Sequence, residues 1–167
     1  MQITDTIWNS EPEVGQFLAA LIKMHKVQTV LEVGVFEGKT SLPIIEALPK
    51  DGLYHGIDVE DLRTVFSKRK DIVNDFILGS SLDILPTLNH SHYDLIFVDS
   101  MHYWDHIMPE FKFVEPLLAK GGIIAYHDSI HIVDVDRLMK YAKSWGYSIV
   151  TINTPGDRGL TLLQRTK

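Results

Sequence analysis

The stretch Val30-Leu31-Glu32-Val33-Gly34-Val35-Phe36-Glu37-Gly38-Lys39-Thr40-Ser41 decides how this chain is read. An apolar, β-branched run ends in an acid and a glycine. A second glycine follows four residues later, and a helix-like sequence begins at once. Strand, tight glycine turn and helix N-terminus together let a backbone approach a ligand closely. The next strand-like run ends in Gly56-Ile57-Asp58, where an acid is placed to accept hydrogen bonds from a ribose. The two features point to a nucleoside-containing cofactor on an α/β sheet.

Outward from this turn, strand-like and helix-like segments alternate. Before it, Ser10-Glu11-Pro12-Glu13 reads as a helix start, with Ser10 as cap and Glu13 three residues on. Val14, Phe17, Leu18, Leu21 and Ile22 then repeat at helical spacing, and 27–33 is a buried-strand run. Leu42, Ile44, Ile45 and Leu48 form the apolar stripe of a second helix, which Pro49-Lys50-Asp51-Gly52 breaks. Residues 53–58 predict a strand and the charged segment 61–72 a helix. Phe76-Ile77-Leu78 leads through Gly79 into Ser80-Ser81-Leu82-Asp83, a cap and short helix. The near-continuous apolar run 93–99 fits a parallel strand covered on both faces. A helix is expected over 109–118 with Pro109 in its first turn, then a Gly121-Gly122 turn into a strand at 123–127. A helix over 134–145 stops at Gly146. Two last strands, 147–152 and 160–163, flank Pro155-Gly156-Asp157-Arg158-Gly159 as an antiparallel hairpin. Alternation of this kind implies right-handed crossovers and a mostly parallel sheet with helices on both faces, and ligands bind such sheets at the carboxyl ends of the strands.

The 167 residues are enough for one domain spanning 1–167. An apolar content of 45% and a net charge of −6 fit a globular protein and argue against a nucleic-acid partner, which needs a basic face. The small cluster Arg63, Lys68, Arg69 and Lys70 reads as a solvated helix face. The absence of cysteine excludes disulfides, thiolate nucleophiles and cysteine-bound zinc. No apolar run reaches the ~18 residues of a membrane helix, and no signal pattern opens the chain, so no membrane partner and a cytoplasmic location are expected.

Three nucleotide-binding patterns compete at the glycine turn. A Walker A loop needs four residues between its glycine and Gly-Lys-Thr, but Gly34 and Gly38 enclose only three. A dinucleotide fingerprint needs glycines where Phe36 and Lys39 stand. The third pattern, the acid-x-Gly-x-x-x-Gly turn of S-adenosylmethionine (SAM) methyltransferases, fits Glu32, Gly34 and Gly38. A tight βα turn without a ligand is the bland alternative.

From these residues onward the chain resembles class I SAM-dependent methyltransferases. It is most similar to the small-molecule O-methyltransferase group that includes macrolide-sugar and cephalosporin-biosynthesis enzymes. The likeness rests on Asp99-Ser100-Met101-His102 after the fourth strand, Pro116-Leu117-Leu118-Ala119-Lys120-Gly121-Gly122, and His127-Asp128-Ser129 ending the fifth strand, together with the glycine turn and Gly56-Ile57-Asp58. It implies a Rossmann-like methyltransferase sandwich with a seven-stranded, mostly parallel sheet and an antiparallel C-terminal hairpin. It also implies SAM as cofactor. Glu32, Gly34 and Gly38 would surround the methionine portion, with Phe36 and Ser41 of the same turn also in contact. Asp58 would hold the ribose, Ser80 and Ser81 would lie at the adenine, and Asp99 would sit where methyl donor and acceptor meet.

Methyl transfer from a sulfonium is an in-line displacement, so the protein must align the acceptor and help it lose a proton. His102 is the expected general base, since imidazole titrates near neutrality. Asp99 and Asp128, at adjacent strand ends, form an oxygen set for Mg²⁺. Where metal-dependent relatives have an acidic or amide neighbour, this chain has His127 and Ser129. A set of Asp99, His127 and Asp128, with His102 in reach, suits another divalent metal of the transition series better. The blander readings are that Asp99 and Asp128 cap following helices, that His55, His90, His92 and His131 are surface histidines, and that Tyr103, Trp104 and Met108 cover the sheet rather than an acceptor pocket. His102 and His106 are four apart but lack the glutamate of a zinc-protease helix. The expected activity is O-methylation of a small hydroxylated acceptor. Short connections leave the acceptor site open, completed by a second subunit of a homodimer, or shaped for a large partner. N-methylation, a non-catalytic SAM-binding or scaffold role, and a Rossmann-type NAD-binding reductase are the alternatives.

Overall fold

The computed structural model describes residues 9–88 and 93–165, so His90 and His92 lie outside the described residues. In chain order the elements are α1 (Pro12–His25), β1 (Thr29–Val33), α2 (Ser41–Ala47), β2 (Leu53–Asp58), β3 (Val73–Leu78), α3 (Ser81–Ile84), β4 (Tyr93–Val98), α4 (Trp104–Val114), β5 (Leu118–His127), α5 (Val133–Ser144), β6 (Tyr147–Ile152) and β7 (Leu160–Arg165). The seven strands form one sheet in the order β3-β2-β1-β4-β5-β7-β6. β1 pairs in parallel with β2 on one side and β4 on the other, so the strand order reverses direction there. The crevice at such a reversal opens at the carboxyl ends of β1 and β4, which is where the glycine turn and Asp99 emerge. β7 runs antiparallel to β6, as the hairpin reading requires, and also to β5.

Strand residues alternate between two cores. Leu95 and Phe97 of β4 pack beneath α1 and α2 with Leu18 and Ile44, while Ile96 and Val98 pack beneath the other helices with Phe111 and Leu138. β4 is therefore apolar on both faces, which is why it reads as a continuous run rather than an alternating one.

Four local readings need correction. Residues 61–72 form no helix. Their polar groups bond outward instead: the backbone N–H groups of Thr64 and Val65 donate to the Glu37 carbonyl, and the Arg69 guanidinium donates to the carbonyls of Ile45 and Leu48. Arg63 lies over the Phe66 and Phe76 rings at 4.5 and 4.0 Å, a cation–π arrangement that holds the segment against the sheet edge. The crossover from β2 to β3 therefore lacks the helix that a regular βα unit would have. Second, α4 starts at Trp104, with Pro109 in its interior. The Trp104 N–H is capped by the Asp134 carboxylate at 2.9 Å from a distant part of the chain, a partner that no local pattern reveals. Third, β5 begins at Leu118 and passes through Gly121-Gly122, with a register shift against β4 between Tyr93 and Leu95. Fourth, Ser10 does not cap α1. Glu11 is the N-cap residue and makes no side-chain cap bond, while the Ser10 hydroxyl donates to Asp99 at 2.5 Å.

Candidate active site

A cavity of about 540 Å³ opens at the crevice between β1 and β4. One end is built from backbone. Gly34 has φ of +90°, and a Cβ there would come within 2.3 Å of the Asp99 carbonyl oxygen, so only glycine lets the ends of β1 and β4 close together. The turn continues through Phe36 with φ of +49°, and the Val35 and Phe36 N–H groups both turn toward Asp58. Asp58 Oδ2 accepts from the N–H groups of Val35 at 2.8 Å and Phe36 at 2.7 Å, and Oδ1 from Glu60 N–H. The acid at the end of β2 thus shapes the glycine turn as well as lining the cavity.

Gly34, Phe36, Asp58, Ser80, Ser81 and Asp99 all lie on the cavity wall, whereas Glu32, Gly38 and Ser41 stand behind it. Gly38 meets the 61–72 segment: a Cβ there would lie 2.3 Å from the Val65 carbonyl oxygen. Glu32 is fully buried beside Ser41 of α2 and Tyr54, whose hydroxyl lies 2.6 Å from its Oε2 and 2.9 Å from Ser41 Oγ. Burial pushes the Glu32 carboxyl up to about 8 despite the Tyr54 hydrogen bond, so it is a neutral acid at physiological pH.

The other end of the cavity is built from side chains. Asp99 and Asp128 follow β4 and β5, and His102 Nε2 lies between them, 3.8 Å from Asp99 and 3.6 Å from Asp128. This nitrogen is buried and has no hydrogen-bond partner. His127 is fully buried, with Nδ1 3.1 Å from Asp99 Oδ1 and Nε2 2.8 Å from Glu11 Oε2. Carboxylates only accept, so both ring nitrogens carry protons and His127 is an imidazolium. Burial favours its neutral form, but the hydrogen bond and charge of Asp99 outweigh that and raise its pKa. Reciprocally, the His127 contacts hold Asp99 below the usual carboxylate range against strong desolvation. Glu11 is held low in the same way, with burial opposed by hydrogen bonds from Thr154 and His127.

Asp128 adopts φ of +55° and is clamped by Arg158, whose Nε and Nη2 donate to its two oxygens at 2.5 and 2.7 Å. This bidentate pair was invisible in the sequence, where Arg158 reads as one residue of a hairpin turn. Ser10 and Glu11 were missed likewise, because a helix start gives no sign that it crosses the ends of β4 and β5. The signal available for Arg158 was its place beside the start of β7, which neighbours the end of β5. A further missed residue is His106. It lines the cavity, with Nε2 3.2 Å from Ser81 Oγ and 3.3 Å from the buried carboxylate of Glu110. Glu110 also accepts from the Ser100 hydroxyl, tying α4 to the segment between Asp99 and His102.

The metal set read from sequence changes accordingly. His127 offers no lone pair, because both its nitrogens face carboxylates. The atoms that converge within 4.8 Å belong to Asp99, His102 and Asp128. With Arg158 on both Asp128 oxygens, and Ser10 and His127 on those of Asp99, this set does not fit a hard divalent cation, which needs several free oxygens. Among the described residues no helix is long and apolar enough to cross a membrane.

Known proteins share both the sequence pattern and the fold. Caffeoyl-CoA O-methyltransferase 1 of Arabidopsis thaliana is 31% identical over 137 residues, covering 74% of this chain and 52% of its own length. Caffeoyl-CoA O-methyltransferase of Medicago sativa is 29% identical over 137 residues, covering 74% of this chain and 55% of its own. The chain thus spans about half the length of these curated relatives. The crystal structure of the O-methyltransferase from Bacillus cereus in complex with SAH superposes with a TM-score of 0.81 at 15% identity, over 96% of this chain and 84% of that one. The O-methyltransferase TomG from Streptomyces achromogenes in complex with SAM gives 0.78 at 23% identity, over 95% and 82%. At these identities the likeness to solved structures establishes the fold. Residues 31–129 match the family described as Methyltransferase domain, and the chain belongs to that family.

Proposed function

We propose that this protein transfers the methyl group of SAM to a hydroxyl of a small molecule. The observation that carries the reading is that one cavity joins the glycine turn, Asp58 and Ser80-Ser81 to Asp99, His102 and Asp128. Its size lies in the range of small-molecule sites. In this reading the methionine portion lies against the backbone at Gly34, the ribose on Asp58, and the adenine by Ser80, Ser81 and His106. The sulfonium methyl then points toward Asp99 and His102. Binding of SAM or SAH by the structural neighbours supports the cofactor, and the caffeoyl-CoA relatives support a hydroxyl acceptor.

The acceptor oxygen attacks the methyl carbon in line with sulfur. A C–O bond forms, the C–S bond breaks with its electron pair retained by sulfur, and the hydroxyl proton leaves to His102. A proton on His102 Nε2 faces Asp99 and Asp128, so Nδ1 is the nitrogen left to take another. Asp99 orients this imidazole and marks the junction of the two substrates.

Calorimetric titration with SAM, SAH and NAD tests the cofactor. SAM and SAH are expected to bind at micromolar Kd, with Asp58→Ala weakening both by at least ~10-fold. NAD binding without SAM binding overturns the reading. A catechol-bearing acceptor panel then tests the chemistry. His102→Ala is expected to keep SAM affinity and lose about 100-fold or more in turnover, the usual share of a general base. Unchanged turnover in that variant removes His102 from the role.

A further inference from the structure

We propose that the Arg158 guanidinium takes the place of a divalent cation between the ends of β4 and β5, so that this chain binds no catalytic metal there. The inference rests on the methyltransferase reading above, because it concerns how that site balances its charge.

Three potential ligand atoms of Asp99, His102 and Asp128 converge within 4.8 Å, a spacing one ion could bridge. The carboxylate oxygens of this set nevertheless all accept hydrogen bonds already, and only His102 Nε2 is without a partner. Arg158 donates to both oxygens of Asp128 in the fork geometry that suits a carboxylate. Ser10 and His127 donate to the two oxygens of Asp99. An ion such as Mg²⁺ would need to sit about 2.0–2.1 Å from these oxygens, in competition with the donors that already hold them. It would also face a guanidinium that cannot lose its charge.

Arg158 is not a loose surface arginine swung into the site. Its third donor, Nη1, reaches the Asn9 carbonyl at 2.6 Å, and its side chain is only 27% exposed. Its own carbonyl accepts from Ile130 N–H at 3.0 Å, and the Ser129 N–H bonds the Gly159 carbonyl, so the turn is docked on the residues following Asp128. The cation is therefore positioned by the hairpin, by the N-terminal segment and by the end of β5 together. Arg158 also lines the cavity, where a fixed positive charge favours negative charge developing on an acceptor oxygen. A single-charged fork in this place neutralises Asp128 and leaves His102 as the group that accepts the proton.

Mn²⁺, which takes the same oxygen ligands as Mg²⁺, is the probe, followed by electron paramagnetic resonance on the full chain with SAH present. Wild type is expected to leave the free-ion signal unchanged through the micromolar range. Arg158→Met uncovers the carboxylates and is expected to bind Mn²⁺ at least ~10-fold more tightly than wild type, a gain that Asp128→Asn removes when added to it. Arg158→Gln serves the same purpose if Arg158→Met does not fold. Micromolar Mn²⁺ binding by wild type that Asp128→Asn abolishes overturns the proposal. So does failure of both folded Arg158 variants to gain Mn²⁺. SAH binding measured calorimetrically in the same samples separates this outcome from failure of the methyltransferase reading.

Discussion

The two ends of the cavity are built in different ways. At the β1–β2 end the working groups are backbone N–H groups in a glycine turn, held by one acid twenty-two and twenty-three residues away. At the β4–β5 end they are side chains drawn from across the chain: Ser10 to Asp99, Glu11 to His127 and to Thr154, and Arg158 to Asp128. The first end is a local backbone device that needs a glycine. The second is a charge network whose members support one another. The contrast implies that the first end tolerates almost no change in shape, and that the second is sensitive to loss of any one charge.

Gly34→Ala is the most severe break of this comparison. The added methyl would lie 2.3 Å from the Asp99 carbonyl oxygen on a backbone with φ of +90°, so clash and strain act together. A loss of about 4 kcal/mol in urea denaturation is expected, with SAM binding abolished in calorimetry. A variant of near wild-type stability and affinity would show that the two strand ends can part without harm.

His127→Leu probes the other end. It leaves the Glu11 and Asp99 carboxylates facing an apolar side chain, at a cost of about 3 kcal/mol near pH 6. The pKa of His127 is raised in the folded protein, so its contribution is fully present below its unfolded value and fades as pH rises through the folded one. The deficit of the variant should therefore shrink in alkaline solution. His127 does not line the cavity but holds Asp99, which does, so SAM affinity should fall only through Asp99, by about tenfold or less. A larger change would show that the two ends are coupled.

The same contrast explains what the sequence discloses. Gly34, Asp58 and the alternation of strands and helices follow from local patterns, because a glycine turn after an apolar strand and an acid after the next strand have few structural meanings. Ser10, Glu11 and Arg158 follow from no local pattern, since their partners are set by tertiary packing across β5, β7 and α1. The segment 61–72 illustrates the intermediate case. Its charge suggested a helix, but Arg63 and Arg69 find aromatic rings and carbonyls of other elements, and those contacts override helix propensity. The position of His127 at the end of β5 suggests a metal ligand, and only its two carboxylate neighbours show both ring nitrogens to be engaged.

Glu32 belongs to the first end by sequence and to the core by position, and it gives the gentlest test. Its carboxyl titrates at about 8 in the fold against an ordinary 4.5. Between these values the folded state holds a proton that the unfolded state has released, so stability falls as pH rises, by up to about 1.4 kcal/mol per unit. Glu32→Gln keeps the shape and removes the titration. Its stability relative to wild type is therefore expected to improve by about 1 kcal/mol between pH 6 and pH 7, read from urea denaturation at each pH. If the gap between the two proteins stays constant over that interval, Glu32 is charged in the fold. It would then add a buried charge to the end held by backbone groups, and the division between a backbone end and a charged side-chain end would have to be redrawn.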